Sequence, residues 1–191
     1  MKLEFQAKFL QHLNQKKQQD QGFTLIELLV VIIIIGILAA IALPSLLSQV
    51  NKGKQAEARQ NIGSANRAQQ AYYLEGNSFT TDFVQLGLGI KTQTVNFDYS
   101  LKSTNVTSNV KNLALARGAT LKSYAGVNYT ASLGTGATAE VGTLALLCET
   151  TAVGTGGRGK ADTVQIPTGA ATGGTSTCQP SADFKDLGSG K

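Results

Sequence analysis

From Leu28 to Leu43 the chain runs through sixteen residues without a polar side chain, and one carboxylate, Glu27, stands at the edge of that block. An apolar run this dense must leave water, so its length decides where it goes. Sixteen residues fall just short of the roughly 17 needed to span a bilayer as a helix. Adding Gly22–Ile26 makes the segment long enough, but only by enclosing Glu27. A carboxylate at the bilayer centre costs roughly 2.5–3.5 kcal/mol on insertion scales, and less near an edge. Leu or Val would avoid that cost, so an ionisable residue here points to a function.

What precedes the block has the order of a targeting segment. Met1–Gly22 carries Lys2, Lys8, Lys16 and Lys17 against Glu4 and Asp20. A secretory signal has the same basic start and apolar middle, then a small-residue cleavage site. Ala39, Ala40 and Ala42 supply such a site, so a cleaved signal or a plain membrane anchor both fit this order.

The residues around Glu27 carry a more specific pattern. Lys16 and Lys17, then Gly22-Phe23-Thr24-Leu25-Ile26-Glu27-Leu28-Leu29-Val30, resemble the processing motif of type IV prepilins, over residues 16–50. The resemblance implies a membrane aspartyl peptidase that cuts after Gly22 on the cytoplasmic side and methylates the new amine of Phe23. It makes Glu27 the assembly glutamate, paired with the Phe23 amine of a neighbouring subunit or of its own chain, one helical turn away. A buried pair of this kind sets axial register, because either charge alone would be costly in low dielectric. The leader, residues 1–22, is longer than the half-dozen residues common in one pilin subclass.

Pro44 removes a helical hydrogen bond to Ala40 and crowds that turn, and Gly36 weakens the helix two turns earlier. Gly36–Pro44 is therefore the soft part of the helix. In the family resembled, this region unwinds on packing into the fibre; a simple kink in the bilayer is the alternative. Beyond Pro44 the stripe Leu47, Val50, Ala58, Ile62, Ala65 and Tyr72 keeps helical spacing up to a C-terminal signal at Glu75-Gly76-Asn77. At 1.5 Å per residue such a helix is roughly 78 Å long. No small core covers that length, so half is expected in a membrane or among other subunits.

The next stretch, "YYLEGNSFTTDFVQLGLGI", resembles the helix-to-sheet connector of pilins of the cyanobacterial type. Within it, Ser78–Ile90 reads as a loop with apolar Phe83, Val84 and Leu86. Val95, Phe97, Tyr99 and Leu101 alternate with polar residues, as do Val127, Tyr129, Ala131 and Leu133, which predicts strands. Val141–Cys148 is nearly continuous in apolar residues and reads as a central strand covered on one face by the helix; Leu113–Ala116 is a weaker fourth. The expected fold is α+β: a long N-terminal helix packed on a small antiparallel sheet. The expected divisions are a leader 1–22, a membrane and assembly helix 23–50, and a head 51–191. The head divides into helix 51–76, connector 77–92, sheet 93–148 and C-terminal loop 149–191.

The tail from Gly134 is rich in Gly, Thr, Ser and Ala and reads as weakly ordered. Cys148 and Cys178 are its two cysteines. With the leader removed and the head outside the inner membrane, a disulfide between them is expected, as in the disulfide-bounded loop of the family resembled. Closing that loop is worth roughly 3–4 kcal/mol.

Other chemistry is poorly represented. Gly154-Thr155-Gly156-Gly157-Arg158-Gly159-Lys160 matches G-x-x-x-x-G-K, but Ala161 stands where a phosphate loop needs Ser or Thr. It reads as a surface loop. His12 is the one histidine, in a polar stretch that favours a solvated side chain. Asp82, Asp98, Glu140 and Asp162 form no recognisable catalytic set. Net charge is +5 without a long basic run, so nucleic-acid binding is not indicated. No cofactor, metal or enzymatic activity is expected. The chain reads as a structural pilus subunit that polymerises with itself. It would be processed by a prepilin peptidase and methyltransferase and handled by an inner-membrane assembly platform. It would be held in the inner membrane first and become part of an extracellular fibre for motility, adhesion or DNA uptake. A pseudopilin of type II secretion and a membrane-anchored binding protein are the other readings.

Overall fold

A computed structural model describes residues 22–133, 140–165 and 177–190. The leader up to Gln21, with His12, lies outside the described residues, as do parts of the Gly/Thr-rich tail. The elements run α1 (Leu25–Gly76), β1 (Phe97–Lys102), β2 (Asn109–Ala116), β3 (Lys122–Leu133), β4 (Glu140–Val153), α2 (Gly154–Asp162) and β5 (Phe184–Gly190). The chain divides into two compact units, the first ending at Ser48 and the second covering Gln49–Lys191.

In the first unit the large apolar side chains of α1 are exposed, and α1 is apolar and long enough to cross a membrane. The helix runs through Pro44 without interruption. Neither Gly36 nor Pro44 ends it, although each is locally unfavourable.

In the second unit the strands follow one another across an antiparallel sheet in the order β1-β2-β3-β4-β5. One register row aligns Leu113 with Ala125 and Ala125 with Cys148. On one face Phe97, Tyr99, Ala114, Ala116, Leu121 and Tyr124 pack with Ala58 and Ile62 of α1. On the other, Leu113, Val127, Leu146, Cys148 and Phe184 pack with Val164 and Cys178. Each large apolar side chain so buried contributes roughly 1.5–3 kcal/mol. α1 ends where the sequence places its end. Asn77 turns into the left-handed region at φ 51° and its N–H closes on the Tyr73 carbonyl at 2.8 Å.

Several expectations need correction. The Val141–Cys148 run lies in an internal strand, β4, flanked by β3 and β5, but its first residue is 68% exposed. The sheet is covered on both faces, and it extends past residue 148 because β4 continues to Val153 and β5 adds a fifth strand. Val95 is 89% exposed and precedes β1. On α1 the buried positions are Ala58, Ile62, Ala65, Asn66 and Gln69, whereas Leu47 and Val50 are exposed. The stripe is therefore shorter and more polar than its apolar spacing implies.

The G-x-x-x-x-G-K stretch is α2, not a surface loop. Four glycines in nine residues oppose a helix by intrinsic propensity. Tertiary contact decides otherwise. A Cβ on Gly157 would lie 2.4 Å from the Ala152 carbonyl oxygen, so the backbone approaches as only glycine allows. Arg158 reaches Asp98 at 2.7 Å, Lys102 reaches Asp162 at 2.5 Å, and Lys160 pairs with Asp183. The motif's glycines lie inside the helix, not in a loop ahead of it, so no phosphate cradle forms.

Candidate processing and assembly site

Thr24 and Glu27 form a reciprocal cap at the start of α1. The Thr24 N–H and hydroxyl donate to Glu27 Oε2 at 2.8 and 2.7 Å, and the Glu27 N–H donates to Thr24 Oγ1 at 3.3 Å. This is the capping box, Thr-x-x-Glu, in which two otherwise unpaired helix-end donors are satisfied. The three-residue spacing in Thr24-Leu25-Ile26-Glu27 is itself the sequence signal that marks Thr24 as the partner of Glu27. The carboxylate is thereby held at the N-terminal end of the helix, where the macrodipole favours negative charge.

Just upstream, Phe23 is 81% exposed, and a Cβ on Gly22 would meet nothing within 4 Å. Gly22 is also free of a positive φ that would demand glycine. Folding of this segment thus places no requirement on Gly22. The same holds at Gly36, where a Cβ would also meet open space.

The head contributes the disulfide and two polar clusters. Cys148 and Cys178 are joined with their Cα atoms 5.8 Å apart, both buried. The bond ties β4 to the segment leading into β5. Sequence reasoning missed the amides between α1 and the sheet. Asn112 Nδ2 donates to Asn66 Oδ1 at 2.7 Å and to Asn128 Oδ1 at 2.9 Å. Asn66 Nδ2 donates to the Leu146 carbonyl at 3.0 Å, and Asn128 Nδ2 to the Asn66 carbonyl at 2.8 Å. Gln69 exchanges hydrogen bonds with the backbone of Thr80 at 2.7 and 3.0 Å, fastening the connector. Gly126 makes room: a Cβ there would lie 2.2 Å from Asn66 Oδ1.

Nearby, buried Glu149 accepts from Lys122 Nζ at 2.6 Å and from the Tyr124 hydroxyl at 3.0 Å. Arg59 lies 4.0 Å from the same carboxylate and over the Tyr124 ring. Burial pushes the Tyr124 hydroxyl up to about 12. Among the described residues no group of His, Cys, Asp and Glu is arranged to hold a metal ion.

An apolar helix with a capped, exposed N-terminus, continuing into a disulfide-tied α+β head, defines the pilin class of membrane-anchored subunit. The family model for type IV pilin-like G and H matches residues 55–178, and the prokaryotic N-terminal methylation motif matches residues 17–43. The chain belongs to the type IV pilin-like G and H family. It is 37% identical over 89 residues to the type IV wide pilus major component PilA4 of Thermus thermophilus, covering 46% of this chain and 68% of that one. It is 38% identical over 110 residues to the fimbrial protein EcpC of Eikenella corrodens, covering 53% and 70%. It is also 38% identical over 66 residues to the type II secretion system core protein G of Aeromonas hydrophila, covering 35% and 46%. The protein is a structural subunit of a type IV pilus, anchored in the inner membrane by the apolar part of α1 and then part of an extracellular fibre.

Proposed function

We propose that Gly22–Phe23 is the peptide bond cut before assembly, that Phe23 becomes the methylated N-terminus, and that Glu27 then receives the Phe23 amine of an adjacent subunit. The observation that carries this is Gly22 itself. No contact and no backbone angle asks for glycine there, yet a glycine precedes an exposed Phe23 and an exposed apolar helix. A peptidase that needs a small residue on the cytoplasmic side supplies the missing requirement. The cut keeps the apolar block as an anchor.

In a fibre of stacked helices the new amine is cationic and needs a partner once surrounded by apolar side chains. An unpaired buried charge costs several kcal/mol, so only an axial offset that joins amine to carboxylate is stable. Residues 23–50 act as the membrane and assembly segment and 51–191 as the head. Gly36 and Pro44 lower the cost of local unwinding between them. The chain acts structurally and not as an enzyme, working through copies of itself and through an inner-membrane assembly platform.

Mass spectrometry of the mature chain from fibres sheared off cells tests the reading. The expected N-terminus is N-methyl-Phe23. A chain beginning after Ala40 or Ala42 would show removal of a conventional signal and overturn it.

A further inference from the structure

The chain contains two Asn-x-Thr triplets, Asn105-Val106-Thr107 and Asn128-Tyr129-Thr130. The fold treats them oppositely. Asn128 is buried in β3, and its side-chain amide is engaged by Asn112 and the Asn66 carbonyl. Asn105 is exposed in the turn between β1 and β2. Its Oδ1 accepts the Thr107 hydroxyl at 2.7 Å and the Thr107 N–H at 3.1 Å. The turn itself is held in place: the Asn105 carbonyl accepts from the N–H groups of Ser108 and Asn109, and the Val106 carbonyl from Phe79 at 2.7 Å. Among the described residues nothing bonds to Asn105 Nδ2, which is left to solvent.

We propose that Asn105 is an acceptor for asparagine-linked glycosylation. Asn-x-Thr is the acceptor pattern for that modification in surface loops of exported proteins. The geometry addresses the chemical difficulty, which is that an amide nitrogen is a weak nucleophile because its lone pair is delocalised into the carbonyl. Two hydrogen bonds to Oδ1 stabilise negative charge on that oxygen and so favour the imidate form, whose nitrogen is nucleophilic. The co-substrate is a glycosyl diphosphate brought by a glycosyltransferase. Nδ2 forms a bond to the anomeric carbon, the bond from that carbon to the diphosphate oxygen breaks, and the diphosphate leaves with the electron pair. The Nδ2 proton passes to a base of the transferase. Asn128 can offer no such nitrogen from the folded head.

The test is a peptide map of the mature chain isolated from its own cells. The peptide containing Asn105 is expected to carry a sugar mass increment, and the peptide containing Asn128 none. Amidase release of the glycan should leave Asp at position 105. Asn105→Gln and Thr107→Val should each abolish the increment, and Thr107→Ser should retain it, with the Cys148–Cys178 bond in each variant reporting a folded head. An increment lost when polyprenyl phosphate is depleted marks a lipid-linked donor, and one that persists marks a nucleotide-linked donor; Asn105 is the acceptor in both. An unmodified Asn105 peptide from wild-type cells, an increment that survives Thr107→Val, or a glycan on Asn128 would each overturn the proposal. It takes from the proposed function only that the head lies outside the cytoplasm. The same digest reads the N-terminus separately, so the failure of one is distinguishable from the failure of the other.

Discussion

Asn112 of β2 donates to Asn66 of α1 across 2.7 Å, with both side chains shielded from water. Removing one buried partner leaves the others unsatisfied, at about 1–3 kcal/mol per group. Asn66→Ala strands Asn112 and the Leu146 carbonyl together and should lower the unfolding midpoint of the head on the order of 10 °C. Gly126→Ala should do the same by displacing Asn66. Thermal unfolding in detergent followed by circular dichroism measures both, and a midpoint unchanged in Asn66→Ala would show that the amides do not hold helix to sheet.

The disulfide should act mainly on β5. Replacing Cys148 and Cys178 by alanine together should cost roughly 3–4 kcal/mol by loop entropy. Amides of Phe184–Gly190 should exchange with solvent faster than those of β2 and β3. Equal protection of all strands with and without the bond would contradict this.

Processing should depend on size at residue 22. Gly22→Val meets no clash in the fold, so the variant should insert normally and accumulate as uncut precursor on immunoblots. Normal cleavage of Gly22→Val would remove the reason for a glycine there.

Thr24 and Glu27 separate capping from assembly. Thr24→Val removes the hydroxyl cap, worth about 1 kcal/mol, but keeps the carboxylate. Glu27→Ala removes the carboxylate and leaves the backbone N–H of residue 27 to the Thr24 hydroxyl. Both variants should be cut and inserted. Fibre yield should fall modestly for Thr24→Val and severely for Glu27→Ala, measured by shearing and immunoblot. Equal losses would reduce Glu27 to a helix cap.

The head should lose stability in alkali. In the unfolded chain Tyr124 titrates near 10.0, and in the fold near about 12, because burial disfavours the phenolate. Below pH 10 both states hold the proton and the stability is intact. Between pH 10 and 12 the unfolded chain releases it first, so stability falls as pH rises. Tyr124→Phe should flatten that part of the stability profile. An unchanged slope would assign the alkaline loss to other groups, such as Tyr99, whose pKa burial also raises.

Local pattern was enough for the elements whose cause is local. The apolar run and the turn at Asn77 each depend on residues within one or two helical turns, and the alternation in β3 needs only a period of two. The cysteines could be paired because the chain has just two. What only the tertiary structure decided depends on partners distant along the chain. Asn112 reads as a polar surface residue until Asn66, 46 positions away, and Asn128, 16 away, supply its hydrogen bonds. α2 reads as a glycine loop until Asp98 and Lys102 of β1 bind its charged residues and the Ala152 backbone packs against Gly157. β5, with its Gly, Asp and Lys, has little strand propensity of its own. It forms because β4 offers an edge, and because the Cys148–Cys178 bond holds the segment leading into it against that edge. A buried polar group or a glycine helix is stable only when its partners are already in place, and their positions are a property of the whole fold.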